Sequence, residues 1–210
     1  MCEVSRKFVN LSTNPALCIE QAKVNYRVSN ASVSLMKEVV RCSESIVDDP
    51  VTEPLIKYMK KHIVEETGHD EWFLEDLNVL GVSRESVLAS LPSLNLTTLM
   101  GSQYFWINHV DPVAFMGFLA CTEIHHPTVE YVETLIKQSG LPAEGFSSLM
   151  HHANVDIHHK KEIINTLNSL PLTEEQFKLI ELSAFQTYRY ITLVMEDVCK
   201  LAPKETLAVA

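Results

Sequence analysis

The chain is expected to be all-α, a bundle of about seven helices, on three observations. Apolar residues recur at alternating steps of three and four through long segments, no stretch alternates with period two for long enough to make a strand, and short Pro- and Gly-bearing breaks punctuate the chain. The breaks are DDPVTEP (48–54), LGVS (80–83), LPSLN (91–95), HVDP (109–112), SGLPAEG (139–145) and LPLTEEQ (170–176). They bound helices near 15–47, 54–79, 84–90, 96–108, 112–138, 144–168 and 174–200. The last is the clearest: Phe177, Ile180, Ala184, Tyr188, Ile191, Met195 and Val198 read as its packed stripe, and Thr173 with Gln176 as a capping box at its start. Asp111-Pro112 supplies an N-cap and a first-turn proline to the helix near 112–138.

Composition narrows the class. At 210 residues and 46% hydrophobic content the chain fills one sizeable core, so one domain spanning 1–210 is expected. With 17 Lys+Arg against 27 Asp+Glu the net charge is −10, which repels phosphate backbones, and no basic cluster offsets it; nucleic acid is not an expected partner. The N-terminal residues have no signal-peptide run and no segment approaches a membrane span, so a soluble, cytoplasmic protein with no membrane partner is expected. The five cysteines, Cys2, Cys18, Cys42, Cys121 and Cys199, are scattered and never spaced as CxxC, which reads as reduced thiols rather than a disulfide or zinc framework.

The unusual chemistry is in "HHANVDIHHKKE", where four of nine histidines fall within nine positions. At about 100° per residue, His152, Asp156 and His159 share one helical face, whereas His151 and His158 point away. The same H-x3-acid-x2-H spacing occurs in "HIVEETGHDE" at His62, Glu66 and His69. Between them, Glu123 sits in the apolar segment AFMGFLACTEI, where a carboxylate is costly unless paired or bound to a cation. Carboxylates and imidazoles without thiolates suit iron or manganese, then zinc, better than calcium or magnesium, and a set this large serves two ions. His109, His125, His126, His151 and His158 read as hydrogen-bonded surface or core residues, and Glu65 and Asp70 as solvent-facing acids or acids behind the ligands.

These residues resemble the haem-oxygenase-like diiron oxidase/oxygenase family, related to the TenA thiaminases and the pyrroloquinoline-quinone synthase fold. The resemblance covers most of the chain: His152, Asp156 and His159 match its H-x3-D-x2-H motif, Glu123 its lone bridging acid and His69 its first-helix histidine. One position departs, since many members carry glutamate where this chain has His62; Glu66 then supplies the acid, an E-x2-H arrangement similar to the fatty-acid decarboxylating branch. The resemblance implies two Fe(II) ions and O2 as cofactors. It also implies a small carboxylate-bearing substrate (amino acid, amino-acid derivative or fatty acid), oxidised by C–C cleavage, desaturation or N-oxygenation; an external electron donor is compatible with that chemistry. Arg189, interrupting the aromatic and aliphatic segment AFQTYRYITLV, is the expected clamp for that carboxylate. Tyr188 and Tyr190 are expected in the core or pocket wall, as are Phe105, Trp106, Phe115 and Phe118. A homodimer is compatible with a bundle of this size.

Four other readings compete. A ferritin-like diiron protein would use Glu66-x2-His69 and Glu123-x2-His126 but leaves the 152–159 motif unexplained. A single-zinc hydrolase, a metal-free TenA-like protein and a pH-responsive helical binding protein complete the set.

Overall fold

A computed structural model describes residues 3–124 and 127–201, apart from the side chains of residues 3–5, 7 and 155–157. The helices follow the sequence breaks, with corrections at four places. A short α1 (Glu3–Leu11), not anticipated, precedes α2 (Pro15–Ser43), whose start is set by Pro15 and by Asn14 Oδ1 accepting from Ala16 N at 3.0 Å. The helix expected over 54–79 is two helices, α3 (Thr52–Glu66) and α4 (His69–Val79). Gly68 separates them at φ 97°, a left-handed conformation that glycine adopts without a Cβ penalty.

Next come α5 (Arg84–Ala89) and α6 (Leu94–His109), capped by Ser83 and Ser93. The helix expected over 112–138 is also divided. Asp111 caps the segment and Pro112 opens it as anticipated, but as a 3-10 turn, α7 covers Phe115–Ile124, and a second N-cap at Thr128, after Pro127, starts α8 (Val129–Ser139). A 3-10 turn (Ala143–Phe146) leads into α9 (Ser147–Ser169), and α10 (Glu174–Lys200) carries the predicted Thr173/Gln176 capping box.

The largest core joins α2, α3, α6, α7, α9 and α10 around Met36, Met59, Leu99, Phe115, Phe118 and Ile163. Helix α7 lies against α10 so closely that a Cβ at Gly117 would collide with the Ile180 carbonyl oxygen and stand 2.7 Å from Ala184 N. This close crossing corrects the expected α10 stripe. The buried positions are Gln176, Ile180, Ser183, Thr187, Val194, Val198 and Cys199: Ile180 and Val198 of the expected stripe face the core, with small and polar residues between them, while Phe177 and Tyr188 are 52% and 55% exposed. Large aromatics would hold α7 away, so they occupy the other side. Phe115 and Phe118 are core, stacked at 5.1 Å, whereas Phe105 is exposed and Trp106 and Tyr190 are half-buried.

Asp76 of α4 anchors the start of α9. Its buried carboxylate accepts from Ser147 Oγ at 2.5 Å and from Ser148 N at 2.8 Å, a cap supplied from a distant helix to the positive end of the α9 dipole. That bond fixes the height of α9 against α4, and hence where its histidines meet α3 and α4.

Candidate metal centre

Six side chains named from sequence converge where α3, α4, α7 and α9 meet, and a seventh joins them. On the α4 side, His69 donates from Nδ1 to Glu66 Oε2 at 3.0 Å, and the His152 ring lies 5.0 Å from the His69 ring. Glu66, His69 and His152 each bring a donor atom within 4.8 Å of the others. On the α3 side, His62, Glu65 and His159 form a second group of the same kind. Glu123 of α7 stands at this second group, with Oε2 accepting from His159 Nδ1 at 3.2 Å and Oε1 3.7 Å from His62 Nε2. Glu66 Oε1 lies 3.6 Å from His159 Nδ1, so Glu66 connects the two groups.

Two features are those expected of a site built for cations. Among the described residues, His62 Nδ1, Glu65 Oε2 and Glu66 Oε1 are buried without a hydrogen bond, the first two standing 3.5 Å apart, whereas the large majority of buried polar atoms are hydrogen-bonded. His152 Nδ1 lies 2.8 Å from the Ser148 carbonyl oxygen, which can only accept; Nδ1 therefore carries the proton and Nε2 the free lone pair, the arrangement typical of a ligating histidine. The donors are nitrogen and oxygen only, a set that fits iron.

A family profile described as iron-containing redox enzyme matches residues 35–190, which include every one of these donors. The chain belongs to this iron-containing redox enzyme family. Three solved structures share the backbone of this iron-containing redox enzyme. A domain of unknown function with a haem-oxygenase-like fold from Shewanella denitrificans aligns with TM-score 0.78 at 19% identity, covering 92% of this chain and 83% of that one. A TenA homologue from Pseudomonas syringae gives 0.73 at 14%, covering 95% and 86%. A CADD-like protein of unknown function from Nostoc punctiforme gives 0.66 at 15%, covering 94% and 89%. At such identities the likeness establishes the haem-oxygenase-like fold, as the sequence motifs implied. A search of curated proteins returned no match.

Electrostatics in the iron-containing redox enzyme follow from burial set against pairing. Burial alone would raise the Glu123 carboxyl, but hydrogen bonds from His159 and His62, with their charges, hold it down at about 2. Glu66 is likewise lowered, its burial outweighed by the His69 hydrogen bond. Burial opposes protonation of His62, yet contact with Glu123 raises it above the ordinary imidazole value. The Tyr58 phenol is pushed well up, by burial first and then by Glu123, Glu162, Glu65 and Glu66, so it stays protonated.

The site differs from expectation in several residues. Glu65, read as an outer acid, brings a donor atom to His62 and His159 while its other oxygen lies 3.2 Å from Lys61 Nζ. The Asp156 side chain, His125 and His126 lie outside the described residues. His62, Glu66 and His69 do not share one helical face as their spacing predicted, because Gly68 ends α3 and starts α4; the ferritin-like E-x2-H helix is therefore absent at this position. Arg189 is exposed on the outer face of α10 and forms no inward clamp. Its phase follows from Thr187 and Val194 facing the bundle; the aromatic neighbours that marked it as inward are themselves outside.

Tyr58 was not singled out from sequence. It stacks on His62 at 5.6 Å, and its hydroxyl is buried without a hydrogen-bond partner among the described residues. The available signal was its spacing, one helical turn before His62. Phe73 and Trp72 play similar wall roles, stacking on His152 at 5.5 Å and on His69 at 4.3 Å. His151 is exposed and edge-on to Trp72, and His158 is exposed 3.2 Å from Glu162, as expected of histidines outside the ligand set.

Proposed function

We propose that this protein binds two Fe(II) ions and uses O2 to oxidise a small carboxylate-bearing substrate. The observation that carries the reading is the pair of donor groups bridged by buried carboxylates. His152 and His159 are seven residues apart on one continuous helix, about 10 Å of rise, too far to bind one ion and suited to two. In this reading Glu66, His69 and His152 hold one ion, His62, Glu65 and His159 the other, and Glu123 lies within reach of the second group and neighbours the first. Bound ferrous ions would supply the electrons that reduce dioxygen. The protein's own groups do the rest: Ser148 O keeps the His152 proton on Nδ1, Tyr58 and Phe73 wall the donors from water, and Tyr58 retains its phenolic proton. An external electron donor completes the cofactor requirement.

A cavity lies beside the site. It is lined by Leu17, Gln21, Phe73, Leu80, Tyr131 and Phe146, and shares Phe73 with His152. Gln21 Oε1 is buried there and makes no hydrogen bond among the described residues, an acceptor matched to the ammonium of an amino acid.

The test is anaerobic titration of metal-free protein with ferrous iron, then oxygen uptake with amino acids and fatty acids. Two irons per chain are expected, with one lost in His152→Ala and the other weakened in His159→Ala. Uptake should rise with amino acids and fall in Gln21→Leu at unchanged iron content. Saturation at one iron that both alanine variants abolish would reject the two-ion centre.

A further inference from the structure

The outer face of α10 carries an apolar strip that no element among the described residues covers. Phe185 is 72% exposed, and Leu182, Tyr188 and Phe177 are each more than half exposed. Single exposed apolar residues are ordinary; a run of them along one helix face is not. Phe105 of α6, also exposed, extends the strip sideways, since its ring lies 6.4 Å from that of Trp106, whose Nε1 donates to Gln186 Oε1 at 2.5 Å.

The arrangement about Phe185 is symmetric. Leu182 and Tyr188 stand three residues on either side of it and Glu181 and Arg189 four on either side, so all four flank its direction on the helix surface. Both charged residues are exposed, and neither forms an ion pair within the chain among the described residues. A two-fold axis through Phe185, bringing a second α10 antiparallel to the first, sets Phe185 against its own copy. The same operation sets Leu182 against Tyr188 of the other copy, and Glu181 against Arg189, twice over.

We propose that this face is a self-complementary dimer interface, with a second copy of this chain as its occupant. Charge complementarity selects that occupant: the acid and the base lie at positions the two-fold axis exchanges, so each copy supplies the partner the other lacks. Between chains of net charge −10, two such local pairs also offset part of the overall repulsion. The interface is independent of the metal reading, because the buried face of the same helix, not this one, packs into the core.

Sedimentation velocity across low to high micromolar protein tests the proposal. The parent chain should sediment as a dimer, and Phe185→Glu as a monomer with unchanged helical circular dichroism and iron uptake. Glu181→Arg and Arg189→Glu each place like charges opposite one another and should weaken self-association about tenfold or more. The double variant Glu181→Arg/Arg189→Glu should restore it, and an equimolar mixture of the two single variants should form a heterodimer. A parent that stays monomeric throughout, or a dimer indifferent to Phe185→Glu, overturns the proposal. So does a charge-swapped pair that fails to recover association while its circular dichroism matches the parent.

Discussion

His62 shows how far a single side chain's surroundings determine its chemistry. It is 1% exposed, stacked on Tyr58, edge-on to His159 and beside Glu123, and those contacts raise its proton affinity although burial opposes it. An imidazole must lose its proton to bind a cation, so protons and iron compete for this ring. Iron affinity should therefore weaken on acidification, by about tenfold per pH unit for each proton displaced, starting above the ordinary imidazole range. Competitive chelator titrations from neutral to mildly acid pH measure this, and a flat profile would remove His62 from the ligand set. In metal-free protein the sign for Glu123 is the opposite. Its folded-state value lies below the unfolded value of about 4.3, so its contribution to stability is complete above that pH and is lost as pH falls toward about 2. Tyr58 offers a separate check. Its buried hydroxyl makes no hydrogen bond among the described residues, so Tyr58→Phe should leave thermal stability within about 1 kcal/mol of the parent or raise it, and should not change iron stoichiometry.

At the scale of the helix, two glycines have different tasks. Gly117 permits the close approach of α7 to α10, and Gly117→Ala should cost about 1–3 kcal/mol by forcing the two backbones apart. Gly68 meets no such neighbour but holds φ 97°, so Gly68→Ala should cost about 1–2 kcal/mol through backbone strain and loosen the Glu66–His69 contact. Thermal melts with and without iron separate the two: the Gly117 penalty should persist in both, while Gly68→Ala should lower iron affinity as well. The helices themselves were largely legible, because caps such as Thr173/Gln176 and Asp111-Pro112 are local hydrogen-bond patterns written in adjacent residues. The break at Gly68 was not, since a lone glycine within an apolar periodic run is equally compatible with a continuous helix. Nor was the phase of α10. Its inward face is chosen by the small residues that Gly117 demands, and hydrophobicity alone selected Phe177 and Tyr188 instead. Arg189 was misplaced for the same reason, whereas Glu123 was found because a carboxylate in an apolar helix is conspicuous wherever that helix packs.

Across the whole molecule, the donors are contributed by α3, α4, α7 and α9, and the capping bond from Asp76 to Ser147 and Ser148 sets two of these helices at a fixed height. His62 and His159 meet only when segments nearly half the chain apart are packed together. No short stretch of the polypeptide presents the complete second group, and the histidines of α9 face their partners only after the core of Met59, Phe118 and Ile163 has closed. On the proposed reading, affinity for iron would therefore depend on the fold being complete. A partly folded copy would then compete poorly for the metal, and loading would wait until the apolar walls that shelter the site already stand.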